Sequence, residues 1–74
     1  MITGIQSKMA RVALGWGLRD AAGKAGVAAS TLQRLEASQG VHSGNMAKVI
    51  AAFEKAGITF LDNDGSGAGV RVKA

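Results

Sequence analysis

AGVAASTLQRLEAS, residues 25–38, reads as a turn followed by a helix, and the way that helix is read decides the fold. Gly26 takes a left-handed backbone at no steric cost, and Val27 follows it as an apolar residue able to close the junction. Leu32 and Leu35, three apart, place one face of a helix inward over about Ala29 to Ala37. Polar reach on the outer side comes from Ser30, Thr31, Gln33 and Arg34, while Ala28 and Ala29 open the helix with methyl groups alone.

Upstream, Leu18 to Lys24 forms a short alanine-rich helix ended by Gly26. An earlier helix is expected from Thr3, as cap, to Leu14, with Ile5, Met9 and Val12 on one face and Gly15 at its end. Trp16 and Met9 are assigned to the core. Downstream, Ser43 is the expected cap of a helix whose Met46, Val49, Ile50 and Phe53 face inward, and Gly57 stops it. Four helices with short connections fill residues 1–57.

After Gly57 the period changes from helical to alternating. Ile58 and Phe60, then Val70 and Val72 between Arg71 and Lys73, flank the turn-forming DNDGSGAG and predict a hairpin in residues 58–74. A lone two-stranded ribbon is marginal, so it must pack on the helices or on another subunit. Its apolar alternation and free edges over Ile58 to Asp62 and Val70 to Lys73 make it the candidate dimerising element.

With 74 residues the chain is near the lower limit for a monomer folding unaided. Nine Lys and Arg face five Asp and Glu, giving a formal charge of +4. Seven of the nine lie before Gly57, against Asp20, Glu36 and Glu54. Such an excess suits a phosphate-rich partner or an anionic membrane surface. Cysteine is absent, which excludes disulfides and thiolate metal sites. No run reaches the roughly 18 apolar residues of a membrane span, and MITGIQSKMAR lacks the regions of a signal peptide, so a cytoplasmic protein is expected.

The spacing from Leu18 onward meets the demands of a helix-turn-helix, in which one helix braces on the DNA backbone and the next lies in the major groove. Small residues are needed where the helices touch, a glycine at the turn and an apolar residue after it. Ala22, Ala25, Gly26, Val27 and Leu32 supply these in order.

Here the sequence resembles the lambda-repressor-like, Xre/Cro-type regulators of bacteria and phages. The matching residues are LGW at Leu14 to Trp16, AGKAGV at Ala22 to Val27, TLQRLE at Thr31 to Glu36, and the SQG that precedes the last helix. It is most similar to a small bacterial subgroup that begins MIT and ends in GI-x-F-x-D, a glycine-rich loop and GVR. The resemblance implies a mainly α fold, a four-to-five-helix lambda-repressor-like helix-turn-helix domain with a C-terminal β-hairpin. It also implies a homodimer that reads double-stranded DNA as a transcriptional repressor or autoregulator, without a cofactor or metal.

By the same resemblance Ala29, Ser30, Gln33 and Arg34 face the bases. Arg pairs with guanine, Gln with adenine, and alanine methyls meet thymine methyls. Phosphate contacts are expected from Arg11, Arg19, Lys24, Thr31, Ser43, Asn45 and Lys48, with the amides near His42 to Asn45 at a helix start. Glu36 orders the turn. The chain departs from the family at Gly17 and Leu18, where a Ser or Thr and a phosphate-binding Gln are usual, at Ala28, where Ser is usual, and in lacking a proline before the last helix.

Other chemistry is poorly served. His42 has no Cys or paired carboxylates near it in sequence, Asp20 lacks an acid-base partner, and no nucleophile triad or phosphate-cradling loop exists, which argues against an enzyme. Asp62, Asp64 and Ser66 echo a calcium loop, but Lys73 stands where its bidentate Glu belongs. A rival from another class is a helix-turn-helix that has lost its reading function and binds a protein partner. Nonspecific nucleoid binding is a third.

Overall fold

The computed structural model describes residues 2–73. Four helices, α1 (Gly4–Ala13), α2 (Leu18–Ala25), α3 (Ala29–Glu36) and α4 (Ser43–Lys55), are followed by strands β1 (Ile58–Leu61) and β2 (Gly69–Val72). The chain is therefore mainly helical, with one antiparallel hairpin that pairs Ile58 with Val72 and Phe60 with Val70.

Three of the four helices end in one motif. At Gly15, Gly26 and Ser38 the backbone turns left-handed, with φ of 69°, 72° and 61°. The next amide then reaches back a full turn, from Trp16 to Arg11, from Val27 to Ala22 and from Gln39 to Arg34. These Schellman closures satisfy carbonyls that a helix end would leave unpaired.

Helix starts differ more. Thr3 caps α1 as expected, its hydroxyl accepting from the Gln6 amide while Gln6 Oε1 accepts from the Thr3 amide. Gly17 cannot cap α2 with a side chain, but Asp20 Oδ2 accepts from its amide at 3.3 Å. The cap of α4 is not the expected Ser43 but His42, whose Nδ1 accepts from the Gly44 amide at 3.1 Å. Ser43 is instead the first helical residue.

α1 also corrects the sequence reading. It buries Gly4, Gln6, Ser7 and Ala10, while Ile5 and Val12 are 66% and 63% exposed and Met9 is half-buried. The cause is close approach. A Cβ on Gly4 would collide with the Leu35 carbonyl, so α1 meets the end of α3 almost backbone to backbone, and only small residues fit that contact. Gln6 is drawn inward for a different reason: its Nε2 donates to the carbonyls of Leu61 and Gly69, both at 3.0 Å, and pins the hairpin to α1.

The core lies between the helices and the hairpin and includes Leu32, Leu35, Met46, Val49, Phe53 and Ile58. Phe53 organises it, with Trp16 stacked on one side at 5.6 Å between centroids and Phe60 edge-on at 6.1 Å. Such pairs add about 0.5–1.5 kcal/mol each beyond area burial. Trp16 is half-buried, its ring also covered by the Lys24 ammonium at 5.1 Å. Ile58, Phe60 and Val70 pack on this core, so much of the apolar alternation assigned to a dimer is used within the chain.

Candidate nucleic-acid interface

Leu32 and Leu35 face the core, and Ser30, Gln33 and Arg34, on the other side of α3, are exposed. Ala29 and Thr31 are half-buried at its first turn. The four residues expected to face bases thus lie along one short helix with three polar side chains accessible.

Beside them the segment from Gly40 folds back towards α3. Arg34 Nη2 reaches the Gly40 carbonyl at 3.5 Å, and Thr31, Arg34, Gly40, Val41, His42 and Asn45 enclose a notch of about 240 Å³. Thr31 and Asn45, both expected at phosphates, meet Arg34 in this notch although they stand on different helices. The notch sits at the N-terminus of α4, where the first amides have no intrahelical acceptor. His42 Nδ1 takes the Gly44 amide. An oxyanion is favoured at such a helix end.

No carboxylate lines the notch, and Arg34 supplies a cation to it. Between Asp20 and Glu54 the only carboxylate is Glu36, and it is occupied by Arg11 at 2.9 Å. Arg34, Lys24 and Lys48 are exposed in that span without an ion-pair partner among the described residues. Ser43 and Lys48 lie exposed on α4, and Arg19 on the first turn of α2.

No protein-family model and no curated protein matches the chain.

Arg11 is placed otherwise than the sequence reading expected. Its Nε and Nη2 both donate to the Glu36 carboxylate, and Nη1 donates to the Trp16 carbonyl at 3.3 Å. Donating these hydrogen bonds to Glu36 raises its pKa above the usual arginine value, and their attraction exceeds the opposing effect of burial. This guanidinium is directed inward, so it is not among the free cations of the surface. Lys24 stands apart from the notch, over Trp16.

Sequence reasoning missed the notch wall formed by Gly40 and Val41 and the capping role of His42. A histidine directly before a helix start was the available signal, though Ser, Thr, Asp and Asn are the usual caps there. In the hairpin loop, Asn63 Oδ1 accepts from the Gly65 and Gly67 amides and Asp64 Oδ1 from Ser66, so these oxygens order the loop itself. Among the described residues no group of three His, Cys, Asp or Glu side chains could hold a metal ion, and no helix is long and apolar enough to cross a membrane.

Proposed function

We propose that the protein is a lambda-repressor-like, Xre/Cro-type helix-turn-helix regulator that binds double-stranded DNA sequence-specifically in the cytoplasm, as a repressor or autoregulator acting as a homodimer. α2 and α3, joined by Gly26 to Ala28, form the helix pair, and α3 is the reading helix. The observation that carries this reading is the conjunction of an exposed Ser30, Gln33 and Arg34 with the carboxylate-poor notch at the start of α4.

The division of labour follows from chemistry. Arg34 and Gln33 are the long donors able to pair bidentately with guanine and adenine in the major groove, each good pair contributing about 1–3 kcal/mol of discrimination. Thr31, Ser43, Asn45 and Lys48 hold phosphates and set the register of α3. Arg19 and Lys24 extend the phosphate contacts along α2. Arg11 has left that set and fixes Glu36 instead.

Equilibrium binding to duplex DNA across a salt series tests the reading. Log K should fall linearly with log salt at about 0.9 per phosphate neutralised. Arg34→Ala should weaken binding and relax preference at one base pair. Affinity that ignores salt and Arg34→Ala would contradict the reading and favour a protein-binding module.

A further inference from the structure

We propose that His42 is a proton-operated latch at the start of α4. Neutral, it holds the Gly44 amide; protonated, it releases that amide and adds a second cation beside Arg34. The latch belongs to the free chain, and only its effect on duplex binding rests on the DNA-reading proposal.

One acceptor makes the latch. Nδ1 takes the Gly44 amide at 3.1 Å, and a neutral imidazole has a single acceptor nitrogen, whereas the imidazolium has donors only. The hydrogen bond and the charged ring therefore exclude each other. Caps of Ser, Thr, Asn or Asp keep an acceptor oxygen across pH 5–8, the range in which imidazole is the side chain that changes charge. His42 is exposed, so protons reach it, and as the only histidine of the chain it has no second imidazole answering the same signal.

Two contacts confine the change to the cap. The His42 carbonyl accepts from the Met46 amide at 3.0 Å, and Met46 is buried, so the backbone of residue 42 is anchored to the core while the ring is free to turn. Gly44 gives the ring its seat. A Cβ there would lie 3.3 Å from Nδ1, so a bare backbone is what lets the imidazole close over the amide.

Neighbouring charges set the direction. Arg34, from α3, is the only charged side chain lining the notch with His42; Thr31 and Asn45 are neutral. α2 and β1 also pack on α4. On α2, Asp20 accepts from the Gly17 amide, Lys24 covers Trp16 and Arg19 is exposed, while β1 carries no charge. Lys48 is exposed on α4 itself, Glu36 is held by Arg11, and no carboxylate pairs with His42 among the described residues. An imidazolium here is opposed by the guanidinium and by the positive end of the helix. A phosphate oxygen entering the notch reverses the balance, because it accepts from the freed Gly44 amide and attracts both cations. Duplex binding therefore takes up a proton and strengthens as pH falls.

Nuclear magnetic resonance of the nitrogen-labelled full chain tests the latch without DNA, between about pH 8 and about pH 5, with His42→Asn beside wild type. Asparagine is among the strongest caps and does not titrate, and the variant keeps every other ionisable group. In wild type the Gly44 amide resonance should move in step with the His42 ring signals and further than the amides of α2. In His42→Asn it should stay in place. A Gly44 resonance that holds still while the ring titrates, or one that moves equally in the variant, would overturn the latch; the wild-type titration decides alone should the variant unfold.

Duplex binding across a salt series at the same two pH values reads the consequence. Wild type should bind more tightly at the lower pH, with a salt slope steeper by about 0.9, one further phosphate neutralised. His42→Asn should lack that increment. Equal wild-type and variant increments would overturn the coupling to DNA. A moving Gly44 amide in a chain that binds no duplex at either pH would remove the DNA-reading proposal and leave the latch standing.

Discussion

Arg11 grips Glu36 with two hydrogen bonds of 2.9 Å, Nε to Oε2 and Nη2 to Oε1, with side-chain exposures of only 17% and 10%. The pair ties α1 to the end of α3, and the third hydrogen bond to the Trp16 carbonyl ties both to the turn before α2. Glu36→Gln keeps the shape but leaves the guanidinium short of charge. A loss of about 1–3 kcal/mol in urea unfolding is expected. Because Arg11 is engaged internally, Arg11→Gln should lower stability while leaving the salt slope of DNA binding unchanged. Lys48→Ala should do the reverse, reducing that slope by about 1.

Gly4 touches the backbone of Leu35 and Glu36, so Gly4→Ala must push α1 away from α3. The helix propensity gained is under about 1 kcal/mol, and overpacking costs about 1–3 kcal/mol. Net destabilisation is the expected outcome in thermal unfolding, and the same substitution at exposed Gly23, with nothing near its Cβ position, should stabilise.

These two contacts also mark where the sequence was legible and where it was not. The helix ends at Gly15, Gly26 and Gly57 were readable because a left-handed residue is so often glycine, and Leu32 with Leu35 fixed which side of α3 faces outward. The direction of α1 was not readable. Periodicity identifies an apolar stripe but not whether it points inward, and the inward contact is made by Gly4 and Ala10, which carry little hydrophobic signal. The engagement of Arg11 was hidden because Glu36 lies 25 residues away, and Ser43 lost the cap of α4 to His42 although serine is the stronger capping residue by frequency.

Gln6 links the hairpin to α1 through two carbonyls. Gln6→Leu leaves both without that donor, with an expected cost of about 1–3 kcal/mol for each acceptor left buried and unpaired. Hydrogen exchange should locate the effect, with amides of β1 and β2 exchanging faster than those of α2 and α3. Uniform acceleration would mean that the hairpin and helices open together.

Ser38 closes α3 with φ of 61°, where its counterparts after α1 and α2 are glycines. Ser38→Gly removes the steric cost of that conformation, about 1–2 kcal/mol for a residue with a Cβ, and offsets part of it by a more flexible unfolded chain. A gain in the urea midpoint with unchanged m-value is expected, while Gly26→Ala, with φ of 72°, should lower it.

The central claim is that α3 reads DNA sequence, and selection of bound duplexes from a randomised pool at physiological salt tests it most directly. Wild type should enrich an inverted repeat with half-sites about 10 base pairs apart, one helical turn. The Gln33→Ala, Arg34→Ala double variant should lose the enrichment but keep weak, salt-sensitive binding through Thr31, Asn45 and Lys48. A wild-type pool no more ordered than the variant's would contradict the claim.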